Sequence, residues 1–160
     1  MKLRKVLLIV AFAAMPLITT GCLWDECSGK AVGGGWITGI DCESHANIGF
    51  EVQKDGPCAT GNVQYNDHSK DGGLMFHGVI EWVKYVEENK YKAGGTAEVG
   101  PKKLYGEFEI CVEDNGEPGC EDWVKVELKY WDDNCDKFKY CNWGLLQGGN
   151  IQVMEEKDKD

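Results

Sequence analysis

From Asp122 to Tyr130 the chain alternates without a break: Val124, Val126, Leu128 and Tyr130 fall on one side, and Lys125, Glu127 and Lys129 on the other. A period of two belongs to an extended strand with one face buried, and a helix of period 3.6 cannot keep such a pattern on one side. Gly106 to Val112 repeats it, with Phe108, Ile110 and Val112 opposed to Glu107, Glu109 and Cys111. Asp114-Asn115-Gly116-Glu117-Pro118-Gly119 between them is dense turn chemistry, which predicts a hairpin with Cys111 away from the core face. Ile48, Phe50 and Val52 alternate as well. Further strands are expected at Gly35–Ile40, Gly61–Tyr65, Leu74–His77, Val79–Val86, Tyr91–Ala97, Tyr140–Leu145 and Asn150–Met154. Val79 to Lys90 contains helix formers, but Val79, Val83, Tyr85 and Val86 favour a strand. Glycine, at 21 of 160 residues, exceeds the usual share and breaks the chain between these segments. The predicted fold is all-β: an antiparallel β-barrel or sandwich of about 8–10 short strands.

The N-terminus carries a different message. Met1-Lys2-Leu3-Arg4-Lys5 is basic, and Val6 to Ile18 is an apolar run interrupted only by Pro16. Such a run is too short for a permanent membrane span and has the length of a signal-peptide core. Thr19-Thr20-Gly21-Cys22 follows and resembles the lipobox of bacterial lipoproteins. That resemblance implies cleavage after residue 21, lipidation of Cys22, and sorting to the outer membrane because Leu23, not Asp, comes next. The other reading is an ordinary secretory signal cut at Thr19-Thr20-Gly21, leaving Cys22 a plain thiol in a periplasmic or secreted protein. The expected organisation is a signal peptide over 1–21, a lipidated tether over 22–29, a β-domain over 30–154 and a disordered acidic tail over 155–160.

Residues 1–21 hold three of the 17 basic residues and none of the 27 acidic ones, so the mature chain carries 14 against 27, a charge of −13. This repels phosphate backbones and anionic headgroups, which argues against nucleic acid and against electrostatic membrane binding. The membrane is a partner only through the lipid anchor.

Eight cysteines, at 22, 27, 42, 58, 111, 120, 135 and 141, read as a disulfide framework in an exported chain. If Cys22 is lipidated seven remain, and at least one lacks a partner within the chain. Nearness in sequence suggests Cys111 with Cys120, Cys135 with Cys141, and Cys42 with Cys58. Zinc is the rival reading, but no Cys-x-x-Cys pair and no suitably spaced His accompanies them.

Five segments carry a resemblance. Gly33-Gly34-Gly35-Trp36-Ile37, Ala46-Asn47-Ile48-Gly49-Phe50, Gly61-Asn62-Val63-Gln64-Tyr65-Asn66-Asp67-His68, Asp114-Asn115-Gly116-Glu117-Pro118-Gly119 and Gly148-Gly149-Asn150-Ile151-Gln152-Val153 are similar, in order and spacing, to segments of the post-COAP domains over residues 30 to 153. These are exported bacterial modules named for following choice-of-anchor domains. The resemblance implies a β-rich extracytoplasmic domain without an assigned activity. The first and last motifs are expected to pair, which would hide the sheet edges and place Ile37 and Ile151 on neighbouring strands.

Catalytic patterns are sparse. Ser28, Ser44 and Ser69 lie in no nucleophile-elbow motif, and His45, His68 and His77 are the only histidines. Asp67-His68-Ser69 invites comparison with a triad, but triads are assembled from separate segments, and a polar turn explains these letters. Glu107 and Glu109 share an outward face, as carboxylates do by chance in so acidic a chain. The chain is expected not to be an enzyme and to need no cofactor. The acidic loop Asp114, Asn115, Glu117, Glu121 and Asp122 is a candidate calcium site, with hard oxygens and glycines that let the chain wrap, although a hairpin turn accounts for the same residues. Trp123 falls on the polar side of its strand and is a candidate surface contact for a ligand. Two functions stay open: an envelope or surface interaction module that binds a protein or glycan on its outer face, and a lipocalin-like barrel that carries a small apolar ligand. A secreted hydrolase is more remote. A filled interior favours the module.

Overall fold

The computed structural model describes residues 28–156, which form nine antiparallel strands and their connections, with no helix among them. The signal segment, Cys22, Cys27 and the last four residues lie outside the described residues. In chain order the strands are β1 (Ser28–Thr38), β2 (His45–Asp55), β3 (Cys58–Asp67), β4 (Met75–Glu87), β5 (Lys90–Val99), β6 (Leu104–Glu113), β7 (Trp123–Trp131), β8 (Lys137–Leu145) and β9 (Gly148–Glu156). They make one sheet in the order β8-β7-β6-β5-β4-β3-β2-β1-β9, curled into a half-barrel. The chain is therefore all-β as expected, but a single sheet replaces the sandwich.

The strands run from 9 to 13 residues, longer than the short segments expected. Leu74–His77 and Val79–Val86 are not two strands: β4 runs through Gly78, which faces the core. A Cβ there would collide with the Phe108 ring, so glycine at 78 lets the strand continue over a large neighbour. The concave face is filled by alternating residues, among them Phe50, Val63, Phe76, Phe108, Ile110, Val126 and Leu128, each 5% exposed or less.

Closure depends on the last two strands. Every consecutive pair from β1 to β8 forms a ladder, so β7 and β1 run the same way, and both β8 and β9 run against them. Residues 137–156 are in effect one long excursion. The chain pairs with β7 up to Leu145↔Trp123, bridges at Leu146 N→Asp122 O (2.9 Å) and Gln147 N→Trp36 O (2.8 Å), then pairs with β1 from Gly148↔Trp36 onward. The expected pairing of first and last motifs is present, with Ile151 opposite Gly33. The ladder does not close, because β8 pairs only with β7.

The disulfide staples are a correction. The described cysteines Cys42, Cys58, Cys111, Cys120, Cys135 and Cys141 are all free, with no pair at disulfide distance. A strand residue advances the chain by about 3.3 Å, whereas bridged Cα atoms sit within about 7 Å. Cys42 and Cys58 flank the two ends of β2, about 30 Å apart on that rise. Cys111 is mid-strand in β6, opposite Lys125, while Cys120 is in the loop before β7. Cys135 sits in the turn that precedes β8, and Cys141 is well inside that strand.

Candidate functional site

Alternation and the antiparallel ladders arrange the outward residues in rows that cross the strands. Over β5–β8 these rows are Glu98–Tyr105–Trp131–Lys137, Thr96–Glu107–Lys129–Lys139, Gly94–Glu109–Glu127–Cys141 and Lys92–Cys111–Lys125–Trp143. A groove of about 550 Å³ lies over the first three rows and reaches β4. Trp82 forms one wall, lying against Gly94, where a Cβ would come within 2.5 Å of the indole, and Tyr105 contributes a second, 55% exposed ring. The bulge in β4 between Ile80 and Trp82 places Glu81 beside the groove, where its carboxylate accepts from Thr96 Oγ1 at 2.7 Å.

The groove carries four carboxylates, Glu81, Glu107, Glu109 and Glu127, against two lysines, Lys129 and Lys139. Glu109 pairs with Lys92 and Glu127 with Lys125, each at 2.9 Å. The hydrogen bond and charge of Glu109 raise the Lys92 ammonium above its ordinary range, and Glu127 does the same for Lys125. With these partners included, four carboxylates meet four lysines, and the result is a charge-balanced concavity with aromatic sides, in which no lysine pairs with Glu81 or Glu107 among the described residues. Cys111 faces outward in the next row yet is buried between Lys92 and Lys125, and burial pushes its thiol up while Lys90 and Lys92 oppose the shift.

The residues singled out from sequence fall elsewhere. Trp123 is half-buried, with the Lys90 ammonium 5.6 Å from its ring centre, whereas Trp143 on β8 is 64% exposed. Alternation identified the correct face for Trp123, but a cation from β5 covers it. In the acidic loop, Asp122 accepts from Asn115 N (2.9 Å) and Ile151 N (2.7 Å), Asp114 from Gly116 N and Val153 N, and Glu117 from Asn150 Nδ2. Those carboxylates are occupied by the outer edge of β9 and by their own turn. Glu121 offers its backbone carbonyl to Asn115 Nδ2. Among the described residues no group of three or more His, Cys, Asp or Glu is placed to hold a metal ion.

Asp67, His68 and Ser69 do not converge as a triad. Asp67 is buried and accepts from Ser69 N, Ser69 Oγ and Ile40 N, while His68, turned to the other face, meets Asn47 and Asn66. Asp67 also accepts from Tyr140 Oη at 2.7 Å. Since that hydrogen is committed, Tyr65 must donate to Tyr140 across 2.6 Å, and Asn142 Nδ2 in turn donates to Tyr65 at 3.0 Å. This oriented chain ties β8 to β3 through the interior, and Asn142 also reaches Thr38 O on β1. Burial pushes the Tyr65 phenol up to about 12 and moves Tyr140 further in the same direction. Burial also works against the Asp67 carboxylate, but the bonds from Ser69, Tyr140 and Ile40 outweigh it and leave its pKa below the ordinary value.

No family model matches this chain, and neither the curated proteins nor the solved structures yield a match. The site therefore rests on its own geometry. Sequence reasoning placed Glu107 and Glu109 on an outward face but missed Trp82, Tyr105, Lys129 and Lys139 as a group. Alternation marks Tyr105, Lys129 and Lys139 as outward but gives Trp82 the parity of the buried Ile80; the bulge that turns Trp82 out and the curl that gathers the group leave no local signal.

Proposed function

We propose that this chain is an exported envelope module, anchored through Cys22, that binds an amine-bearing glycan in its outer groove. The observation that carries this reading is the combination of Trp82 and Tyr105 with Glu81 and Glu107, carboxylates that no lysine pairs among the described residues, in one concavity of about 550 Å³. That volume lies within the range of small-ligand sites. Sugar ring faces are apolar and suit the two aromatic rings, hydroxyls suit carboxylate acceptors, and the unpaired carboxylates of Glu81 and Glu107 suit ammonium groups. The filled core favours an external site over an apolar ligand carried inside. The lipobox-like Thr19-Thr20-Gly21-Cys22 supports the anchor, and the five-segment resemblance to the post-COAP domains supports an extracytoplasmic setting.

The test is titration with a glucosamine tetramer at about pH 6, where amines are charged. Binding that weakens about tenfold in Trp82→Ala is expected, since loss of a central aromatic typically exceeds 1 kcal/mol. Equal affinity for both proteins would remove the groove from consideration. Intact mass of the membrane-purified protein decides the anchor: acyl chains on Cys22 are expected, and an unmodified mature chain would make the module a free one.

A further inference from the structure

Two rows on the outer face of β1–β4 carry no charge, unlike every row described above for β5–β8; the rows beyond them hold Glu51 and Lys30, which pair with each other. The first uncharged row is Trp36–Asn47–Asn66–Met75, and the second is Gly34–Gly49–Gln64–His77. Neither contains Asp, Glu, Lys or Arg, in a chain with 28% charged residues. Trp36 is 41% exposed, and its ring meets His45 edge-on at 5.9 Å; His45 in turn lies 5.0 Å from His68. Asn47 and Asn66 both bring their amide nitrogens to His68 Nε2, at 3.1 and 3.3 Å, and share its one acceptor lone pair in the tautomer that leaves it unprotonated. This fixes both amides while their carbonyl oxygens accept nothing from the described residues.

Gly49 lies beside this cluster. It is central in β2, and a Cβ there would meet nothing within 4 Å, so the fold does not require glycine at this position. Glycine weakens a strand interior and suits a surface that another molecule approaches closely. With Gly34 opposite, it leaves a floor of bare backbone one row from Trp36, whose ring lies over Gly148 of β9.

We infer that Trp36, Asn47, Gln64 and Asn66, over the Gly34–Gly49 floor, form a second binding site, which takes a neutral glycan segment. A pyranose face covers the indole, the fixed amides meet its hydroxyl or acetamido groups, and the absence of charge avoids stripping water from an ion that gains no counter-charge. The site is continuous with the groove: its second row continues from His77 to Glu98 on β5 and Tyr105 on β6. Gly49 on β2 and Tyr105 on β6 are four strand spacings apart, about 19 Å along the sheet. One glycan chain can thus engage both sites, the acetylated part on the neutral face and the amine-bearing part in the groove. The inference extends the glycan reading of the groove but has its own probe.

That probe is the N-acetylglucosamine tetramer, titrated at neutral pH by calorimetry into the described domain's full chain and three variants. Trp36→Ala and Gly49→Val remove the stacking surface and fill the floor, respectively; both positions are open to solvent, and unfolding midpoints verify that the variants fold. Binding by the wild type that falls about tenfold in each of these, and is unchanged in Trp82→Ala, is the expected result. No binding of this tetramer, or loss only in Trp82→Ala, would overturn the neutral site. The groove stands or falls separately, on the glucosamine tetramer and Trp82→Ala.

Discussion

Asp122 Oδ2 accepts the Ile151 amide hydrogen at 2.7 Å, so a carboxylate from the β6–β7 loop takes the place of a neighbouring strand along β9. Asp114 does the same for Val153 at 3.0 Å. An open edge of this kind would otherwise invite pairing with another chain. Asp122 is fully buried, so its removal strands the Ile151 amide away from water and takes the acceptor from the part-buried Asn115 amide. Asp122→Ala is expected to lower unfolding free energy by about 3 kcal/mol in urea denaturation. A loss below about 1 kcal/mol would show that water replaces the carboxylate.

Calcium is expected to leave the melting temperature unchanged relative to a chelator. The carboxylates of Asp114, Glu117 and Asp122 already accept hydrogen bonds, and recruiting them for an ion would release β9. A rise of several degrees with calcium would reinstate the loop as an ion site.

The tyrosine chain predicts loss of stability in alkali. The folded Tyr65 value, about 12, exceeds that of an unfolded tyrosine near 10, so the unfolded chain releases its proton first. Stability is full below about pH 10 and falls as pH rises toward 12, with Tyr140 adding to the trend. Tyr140→Phe should flatten this slope and cost about 1–2 kcal/mol at neutral pH by stripping Asp67 and Tyr65 of a partner. Denaturant midpoints across the alkaline range measure both. Acid acts in the opposite sense: the lowered Asp67 carboxyl contributes stability above the ordinary carboxylate range, and this is lost as pH falls through the folded value.

Thiol labelling separates the cysteines. Under native conditions an alkylating reagent should modify Cys42, Cys58, Cys120, Cys135 and Cys141, which are exposed, and spare Cys111, which is buried with a raised thiol pKa. Denaturation should make Cys111 reactive. Cys111 labelling as fast as the others in the native protein would contradict its burial, and resistance of the exposed five would signal bridges.

Much of the fold was legible because strand character is local. Val124, Val126 and Leu128 alternate with charged neighbours, and that alone assigns their faces, since successive side chains of an extended chain point to opposite sides. Turn residues such as Asn115-Gly116 likewise mark a reversal wherever they occur. The pairing of the Gly33–Ile37 and Gly148–Val153 segments was legible for a related reason: both begin with consecutive glycines that allow close backbone approach. The cysteine pairs were not legible, because sequence proximity along a strand is spatial separation.

By itself, then, the sequence determined the all-β character, most inward and outward residues, the turns, and the net acidity of the chain. Only the tertiary structure decided that one sheet curls instead of two stacking, that residues 137–156 pass from β7 to β1, and that the acidic loop clamps β9. It alone also placed Trp82 and Tyr105 around one groove and Trp36 one row from Gly49's open floor. The division follows from range: alternation is set by adjacent residues, whereas register, curl and cross-strand rows depend on contacts between segments far apart in the chain.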